Sequence, residues 1–259
     1  MRSKFMSFIK LIAHILFIIF LTVLTQVGGI IWLLTIIISK NKDWKKRYVF
    51  PIVYLIFNLL LIPPIAKQFG RERLPWFHND LVPRNWFYPL TFRNYVNPEL
   101  KQMLIESTKN CEFKITYLDA CFPFYNGFPL LPHLSHNDGK KVDLSFMYLN
   151  KDGKPTEQKP SNSGYGAFIK DANMPCTDNG HWQYDFPKHL SFGINTQLQL
   201  DKKRTRILLK ALLSKSETQS IFIEPYLKRD LKLQNEYRIR FQGCHSVRHD
   251  DHIHLQIKQ

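Results

Sequence analysis

Two long apolar runs occupy the first 66 residues of the chain. Residues 11–39 and residues 48–66 contain no Lys, Arg, Asp or Glu. A helix needs about 20 apolar residues to cross a bilayer, so each run is long enough for one span. The sequence therefore predicts a membrane anchor over residues 1–66 with two transmembrane helices, at about 11–39 and 48–66, the first of them tilted.

Three other interpretations of the first run are less favoured. A cleaved signal peptide has an apolar core of roughly 7 to 15 residues and a small-x-small cleavage site, which this run lacks. A hairpin turning at Gln26-Val27-Gly28-Gly29 would leave two arms too short to cross easily. A buried helix that is apolar all round has few places in a domain of this size. Two spans are therefore predicted.

The loop between the two runs sets the predicted orientation. Residues 40–47 carry five cationic side chains and one acidic side chain. Short loops rich in Lys and Arg stay in the cytoplasm. The second span then carries the chain outward, and everything after about residue 67 is predicted to lie outside the cytoplasm.

Beyond the membrane runs, the pattern predicts an α+β domain. Residues 67–100 are rich in proline, aromatic and basic residues, which indicates a membrane-proximal linker. Apolar periodicity predicts strands at 113–120, 142–149, 220–224, 237–242 and 252–257, and helices at 97–107, 201–215 and 226–234. The predicted fold over residues 101–259 is a small central antiparallel sheet with flanking helices.

Residues 150–190 interrupt this pattern. They are rich in Lys, Gly, Ser, Asn and Pro, with scattered aromatics that include Gly164-Tyr165-Gly166 and His181-Trp182. Their length and composition predict long loops, which often shape a substrate groove.

The charge balance narrows the class of partner. The formal net charge is +15, but residues 1–73 hold 11 Lys and Arg against 2 Asp and Glu, so most of the excess lies near the membrane runs. Basic residues form no stripe interleaved with aromatics, which disfavours nucleic acid. The moderately basic remainder suits a cell wall or an anionic membrane surface.

All four cysteines, Cys111, Cys121, Cys176 and Cys244, lie after the apolar runs. In an oxidising compartment they permit up to two disulfides in three possible pairings, while free buried thiols are the alternative. None has CxxC spacing, which disfavours a structural zinc cluster.

The C-terminal strand carries candidate metal ligands. Residues two apart on a strand share a face, so His252 and His254 project together while Ile253 and Leu255 project oppositely. Catalytic zinc usually takes three protein ligands and keeps a fourth position for water. His136 and Asp143 supply a further nitrogen and an oxygen, because the turn Asn137-Asp138-Gly139 leads directly into the strand that Asp143 opens.

These motifs resemble a known group of zinc metallopeptidases. His136-x6-Asp143 with Gly139 inside it, followed about a hundred residues later by His252-x-His254, resembles the group that joins lysostaphin, D-alanyl-D-alanine carboxypeptidases and the hedgehog signalling domain. The run His249-Asp250-Asp251-His252-Ile253-His254 looks most like the penicillin-insensitive murein endopeptidases. The resemblance covers roughly residues 110–258.

The resemblance implies a role for each of these residues. His136, Asp143 and His254 would bind Zn²⁺, His252 would be the catalytic histidine, and His249 would lie near the scissile bond. Asp250 and Asp251 are candidate acceptors that orient the imidazoles. The remaining histidines of this region, His133, His181, His189 and His245, match no motif and are predicted to be surface or loop residues.

The function implied is zinc-dependent hydrolysis of peptidoglycan peptides. The chain would sit in the bacterial inner membrane with its domain on the periplasmic side, and endopeptidase action on cross-links is favoured over carboxypeptidase action. A non-catalytic zinc-containing module that binds wall peptide or a protein partner is the alternative. Two features depart from the murein endopeptidases: those are exported soluble proteins, and residues 150–190 have no counterpart in them.

Overall fold

Three helical segments form the N-terminal part of the computed structural model, which describes residues 2–169, 175–178 and 180–258. They are α1 (Arg2–Thr25), α2 (Gly28–Lys42) and a long segment composed of α3 (Lys46–Ile56), a π-helical turn (Phe57–Leu61) and α4 (Ile62–Gln68). Two stretches, Phe5–Thr25 and Lys46–Gln68, are long and apolar enough to cross a membrane. Only 11% and 28% of their most apolar windows are buried, unlike the core helices of soluble proteins.

The single helix predicted over residues 11–39 is wrong, because the chain turns in its middle. Gln26 has a backbone φ of +66°, in the left-handed region that ends a helix. The Thr25 hydroxyl accepts the N–H of Gly28 at 2.8 Å. A Cβ on Gly29 would collide with a threonine hydroxyl of α1, so glycine permits the close approach of α2. The helix α2 is about 22 Å long, shorter than a hydrocarbon core of about 30 Å.

A mixed six-stranded sheet forms the centre of the domain. The strands are β1 (Glu72–Arg73), β2 (Leu81–Pro83), β3 (Tyr95–Val96), β4 (Ile115–Tyr117), β5 (Lys141–Ser145), β6 (Tyr148–Leu149), β7 (Pro155–Thr156), β8 (Gln199–Leu200), β9 (Thr218–Phe222), β10 (Ile239–Arg240) and β11 (His252–Ile257). The large sheet has the order β10-β9-β11-β5-β4-β2. Its four middle strands are antiparallel, whereas β10 and β2 pair in parallel at the two edges. The strands β1 and β3 form a separate pair, and β7, β6 and β8 form a three-stranded sheet.

The register of β11 against β5 follows from the burial of one face. Ile253, Leu255 and Ile257 are fully buried in the main apolar core with Val142 and Leu144. Burial of alternate residues on both strands fixes the pairing, since a one-residue slip would expose them all. In this register His254 lies opposite Asp143.

The helices of the domain are short. They are α5 (Phe87–Leu90), α6 (Pro98–Thr108), α7 (Pro175–Asp178), a 3-10 turn (Phe186–Leu190), α8 (Lys202–Leu213) and α9 (Pro225–Asp230). Asn97 caps α6 by accepting the N–H of Glu99 at 2.7 Å, and Asp201 caps α8 by accepting the N–H of Arg204 at 2.9 Å. The predicted helices at 97–107 and 201–215 are therefore confirmed within a few residues, and the one at 226–234 is shorter than predicted.

Residues 67–100 are part of the domain rather than a separate linker. The strand β2 extends the large sheet by pairing with β4, and Leu74, Leu81 and Val96 lie fully buried in the main core. The predicted boundary at residue 101 is therefore too late. The pattern missed these strands because each has only two or three residues.

A second apolar core joins the helical segments to the domain. It contains Val27, Ile31, Val49, Val53, Ile62 and Ala66 from the helices, and Phe92, Tyr95, Phe122 and Leu130 from the domain. Hydrogen bonds reinforce this contact: the Phe124 N–H donates to the Gln26 side chain at 3.0 Å, and Tyr54 donates to the Leu90 carbonyl at 2.6 Å. The helices and the domain thus share one packed interface.

One disulfide joins Cys176 to Cys244. It ties α7, inside the 150–190 segment, to the loop that precedes β11. Cys111 and Cys121 are free thiols, so of the pairings left open by the sequence the structure contains only this one among its described residues.

Candidate metal centre

Three predicted ligands converge on one point. His136 Nε2 lies 3.1 Å from His254 Nδ1 and 3.2 Å from Asp143 Oδ1, and the last two atoms are 2.9 Å apart. Tetrahedral zinc with ligands at 2.0–2.1 Å has ligand–ligand edges of about 3.3 Å. All three side chains are buried. The donor set, two imidazole nitrogens and one carboxylate oxygen, fits a metal ion such as zinc.

Each ligand is held by the local fold. Asp143 and His254 lie on neighbouring central strands, on the face opposite the apolar core. His136 lies in the turn before β5, where its N–H donates to the His133 carbonyl at 3.0 Å. Burial alone would raise the pKa of Asp143, but the nearby imidazoles of His136 and His252 hold it well below its usual value. Asp143 is therefore available as a charged ligand.

His252 lies beside this triangle and has its own partner. Its Nδ1 is 2.5 Å from Asp251 Oδ1, and its Nε2 is 3.7 Å from Asp143 Oδ2. Burial lowers the pKa of His252, but these two facing carboxylates outweigh burial and raise it to about 9. The Gly166 N–H in turn holds the second oxygen of Asp251 at 2.5 Å. The imidazole is thus oriented by a carboxylate that is itself fixed by the backbone.

His249 completes a second cluster with His252 and His254, which could also hold a metal ion. The His249 ring centroid lies 4.9 Å from that of His252. Burial and the neighbouring imidazoles of His252 and His254 hold the pKa of His249 well below its usual value, which favours the neutral ring. The two clusters share His254, so they describe one centre with four histidines and one aspartate.

The two adjacent aspartates have different partners. Asp251 orients His252, as the sequence predicts. Within the part of the chain that the structure describes, Asp250 forms no hydrogen bond with an imidazole: it accepts hydrogen bonds from Arg248 at 2.7 Å and from the Tyr226 hydroxyl at 2.5 Å. The predicted role of Asp250 is therefore wrong, because its carboxylate binds Arg248 and Tyr226 instead.

His133 lies in a loop, as predicted, but its side chain faces the metal centre. Its side chain is 8% exposed, and its Nδ1 lies 2.9 Å from Asp119 Oδ2 and 3.6 Å from Asp143 Oδ2. Its ring packs against that of Tyr165, with centroids 4.7 Å apart. The spacing of three residues between His133 and His136 across a tight turn was the available signal.

Tyr165 is a site residue that the sequence did not identify as one. Its hydroxyl donates to Asp143 Oδ2 at 2.7 Å, and it is buried in the 150–190 segment. Gly164 and Gly166 have φ of +94° and +75°, and a Cβ on either would collide with the neighbouring packed residues. The two glycines let the loop turn sharply on both sides of Tyr165 and press it against the ligand.

A cleft of about 510 Å³ opens onto the cluster. Its walls are the segment Leu131–His136 on one side and, on the other, Trp182, Phe186, His245 and Val247. Trp182 is 75% exposed and stands at the rim. His245 packs against His181 with ring centroids 4.7 Å apart, next to the disulfide. Neither His181 nor His189 lines this cleft.

No family model matches the chain, and no curated protein matches it either.

Proposed function

We propose that the chain is a membrane-anchored zinc metallopeptidase that hydrolyses amide bonds in peptidoglycan peptides, with endopeptidase action on cross-links favoured. The observation that carries the proposal is the triangle of His136 Nε2, Asp143 Oδ1 and His254 Nδ1, with edges of 2.9–3.2 Å, beside a histidine that is not part of it. A structural zinc site is closed by four ligands, whereas a catalytic site has three protein ligands and opens to substrate.

The side chains around the three ligands support general acid–base catalysis at this centre. Zinc in such a site lowers the pKa of a bound water to about 7 and polarises a carbonyl. His252, oriented by Asp251, is positioned to take a proton and then give it to the leaving amine. His249 is neutral and lines the cleft, where it can donate a hydrogen bond to the substrate or accept one from it. These roles favour an enzyme over a non-catalytic binding module.

The proposed location is the periplasmic side of a bacterial inner membrane. The hairpin of α1 and α2 brings the basic N-terminus and the basic loop 40–47 to the same end of the helical part, which suits a cytoplasmic position for both. The disulfide between Cys176 and Cys244 is typical of an oxidising compartment. Both observations favour a domain exported from the cytoplasm.

The test is digestion of purified peptidoglycan by the full chain in detergent, with and without a chelator. Because the domain shares a core with the helices, the full chain is used. We expect new peptide fragments by mass spectrometry, lost with chelator and restored by added zinc, and no fragments from His136→Ala, which should also lose zinc. Bound zinc without chelator-sensitive cleavage would exclude the proposed activity.

A further inference from the structure

We infer that the substrate of this site is attached to a membrane-embedded hydrocarbon chain, and that an apolar cavity beside the metal cleft receives that chain. The inference rests on the proposed function, because it identifies the class of substrate for the same centre. It is carried by the position of the cavity between the end of α1 and the metal site.

The cavity has a volume of about 350 Å³, and most of its lining is apolar. Its walls include Leu24 of α1, Phe87 of α5, and Leu190 and Phe192 of the 3-10 turn and the loop after it. Phe192 is 73% exposed and Phe87 is 43% exposed. Exposed apolar side chains gathered around a cavity are typical of a binding surface rather than of a chance arrangement.

The cavity shares a wall with the metal cleft. Leu131, Pro132 and His133 line both. A ligand in the cavity is therefore separated from the catalytic cleft only by this short segment. A hydrocarbon chain in the cavity and a peptide in the cleft can belong to one molecule.

Charge complementarity favours an uncharged occupant. The charged groups at the floor are already paired: the Arg93 guanidinium binds both oxygens of Asp119, and His133 lies 2.9 Å from the same carboxylate. At the rim the Asn85 side chain is occupied by the Asn162 carbonyl and the Phe87 N–H. Among these lining groups no free cation faces the cavity to bind a phosphate. A hydrocarbon chain needs no charged partner, because burial of its apolar surface provides the binding free energy.

The cavity lies beside the two candidate spans, at the far end of the span Phe5–Thr25. The α5 segment is fixed to the candidate span Lys46–Gln68 by Tyr54, which donates to the Leu90 carbonyl, and by Asn58, which donates to the Pro89 carbonyl at 3.1 Å. At 1.5 Å per residue Leu24, which lines the cavity, lies about 28 Å from Phe5, at the edge of a hydrocarbon core of about 30 Å. A lipid chain that follows α1 to this edge can therefore enter the cavity.

The test uses the full chain in vesicles of phosphatidylethanolamine and phosphatidylglycerol. The two substrates are one cross-linked stem peptide with and without an N-terminal palmitoyl chain, and each variant is scored by the ratio of the two cleavage rates. We expect Phe192→Asp to lower this ratio about tenfold relative to wild type. Phe77→Asp is the matched control, since Phe77 is 81% exposed and does not line the cavity, and it should keep the wild-type ratio.

A second measurement separates this inference from the proposed activity. A palmitoyl chain with a terminal photoreactive diazirine is cross-linked in the same vesicles, and the labelled fragments are identified by mass spectrometry. Labelling of fragments that contain Phe87, Leu131 or Phe192, without cleavage of either peptide, would support the lipid cavity and exclude the peptidase. Cleavage with an unchanged ratio in Phe192→Asp and no labelling there would overturn the lipid cavity alone.

Discussion

The hydroxyl of Tyr165 is the only contribution of the 150–190 segment that touches a proposed metal ligand directly among the described residues, and it donates to Asp143 Oδ2. Asp143 Oδ1, the other oxygen, faces the two histidine ligands. A hydrogen bond of this kind fixes the carboxylate so that one oxygen is presented to the metal. Tyr165 therefore acts through Asp143 as a positioning residue.

Tyr165→Phe is expected to weaken zinc binding by roughly tenfold, because partners of this kind contribute 10- to 100-fold to metal affinity. The measurement is competition with a zinc chelator of known affinity. Tyr125→Phe, which alters a tyrosine that is 65% exposed and away from the centre, is the control. Equal zinc affinity in Tyr165→Phe and wild type would contradict the positioning role.

Asp251→Asn is expected to shift the pH dependence of kcat/KM to lower pH by about one unit. Asp251 is one of the carboxylates that raise the pKa of His252, and its neutralisation disfavours the imidazolium. The acidic limb of the profile, which reports the deprotonation of His252, therefore moves to lower pH, and kcat/KM is retained to lower pH than in wild type. A profile that stays in place, or moves to higher pH, would show that His252 does not carry the proton.

The chemistry-bearing residues were more predictable than their surroundings. Alternation on β11 was enough to place His252 and His254 on one face, because the apolar partners Ile253 and Leu255 demand burial. The spacing between His133 and His136 was the only local sign of His133, and no local pattern identifies Tyr165, because each reaches the centre through tertiary packing of a loop. The three candidate ligands could thus be predicted from motifs, whereas the supporting residues His133 and Tyr165 could not.

At the scale of elements, dependence on tertiary packing also explains two wrong predictions. These are the single helix over residues 11–39 and the domain boundary at residue 101. The turn at Gln26 depends on two glycines packed against α1, and uniform hydrophobicity hides that contact. The strand β2 has three residues and is stabilised by its neighbour β4 rather than by its own sequence. Elements that depend on a partner have weak local patterns.

The disulfide is the element that ties the 150–190 segment to the loop before β11. Replacing Cys244 by Ser is expected to lower the free energy of unfolding by about 2–4 kcal/mol, because the bond closes a loop across 68 residues of sequence separation. Denaturation followed by fluorescence measures this change. Cys111→Ser, which removes a free thiol, is the matched control. An equal effect of the two substitutions would contradict a stabilising disulfide.

At the scale of the whole molecule, the helical part and the domain form one structural unit. Val53 and Ala66 from the helices pack in the same cluster as Phe92, Tyr95 and Phe122 from the domain. This arrangement fixes the candidate metal cleft relative to the apolar helices. The helical part therefore belongs to the folded structure that supports the site.

A fragment of residues 74–259 is accordingly expected to be less stable and to aggregate, because removal of the helices exposes the apolar domain face of the shared cluster. Size-exclusion chromatography and thermal unfolding of the fragment and of the full chain in detergent test this expectation. A monomeric fragment with the melting temperature of the full chain would mean that the shared core contributes nothing to the domain.

The central claim, a zinc centre with a separate catalytic histidine, is tested most directly by one comparison. Wild type and His252→Ala are loaded with zinc to the same measured content, and the release of new amino groups from peptidoglycan is followed. We predict rapid release by wild type and a rate at least about 100-fold lower for His252→Ala, the usual contribution of a general acid–base group. Equal rates, or no release by the zinc-loaded wild type, would contradict the account.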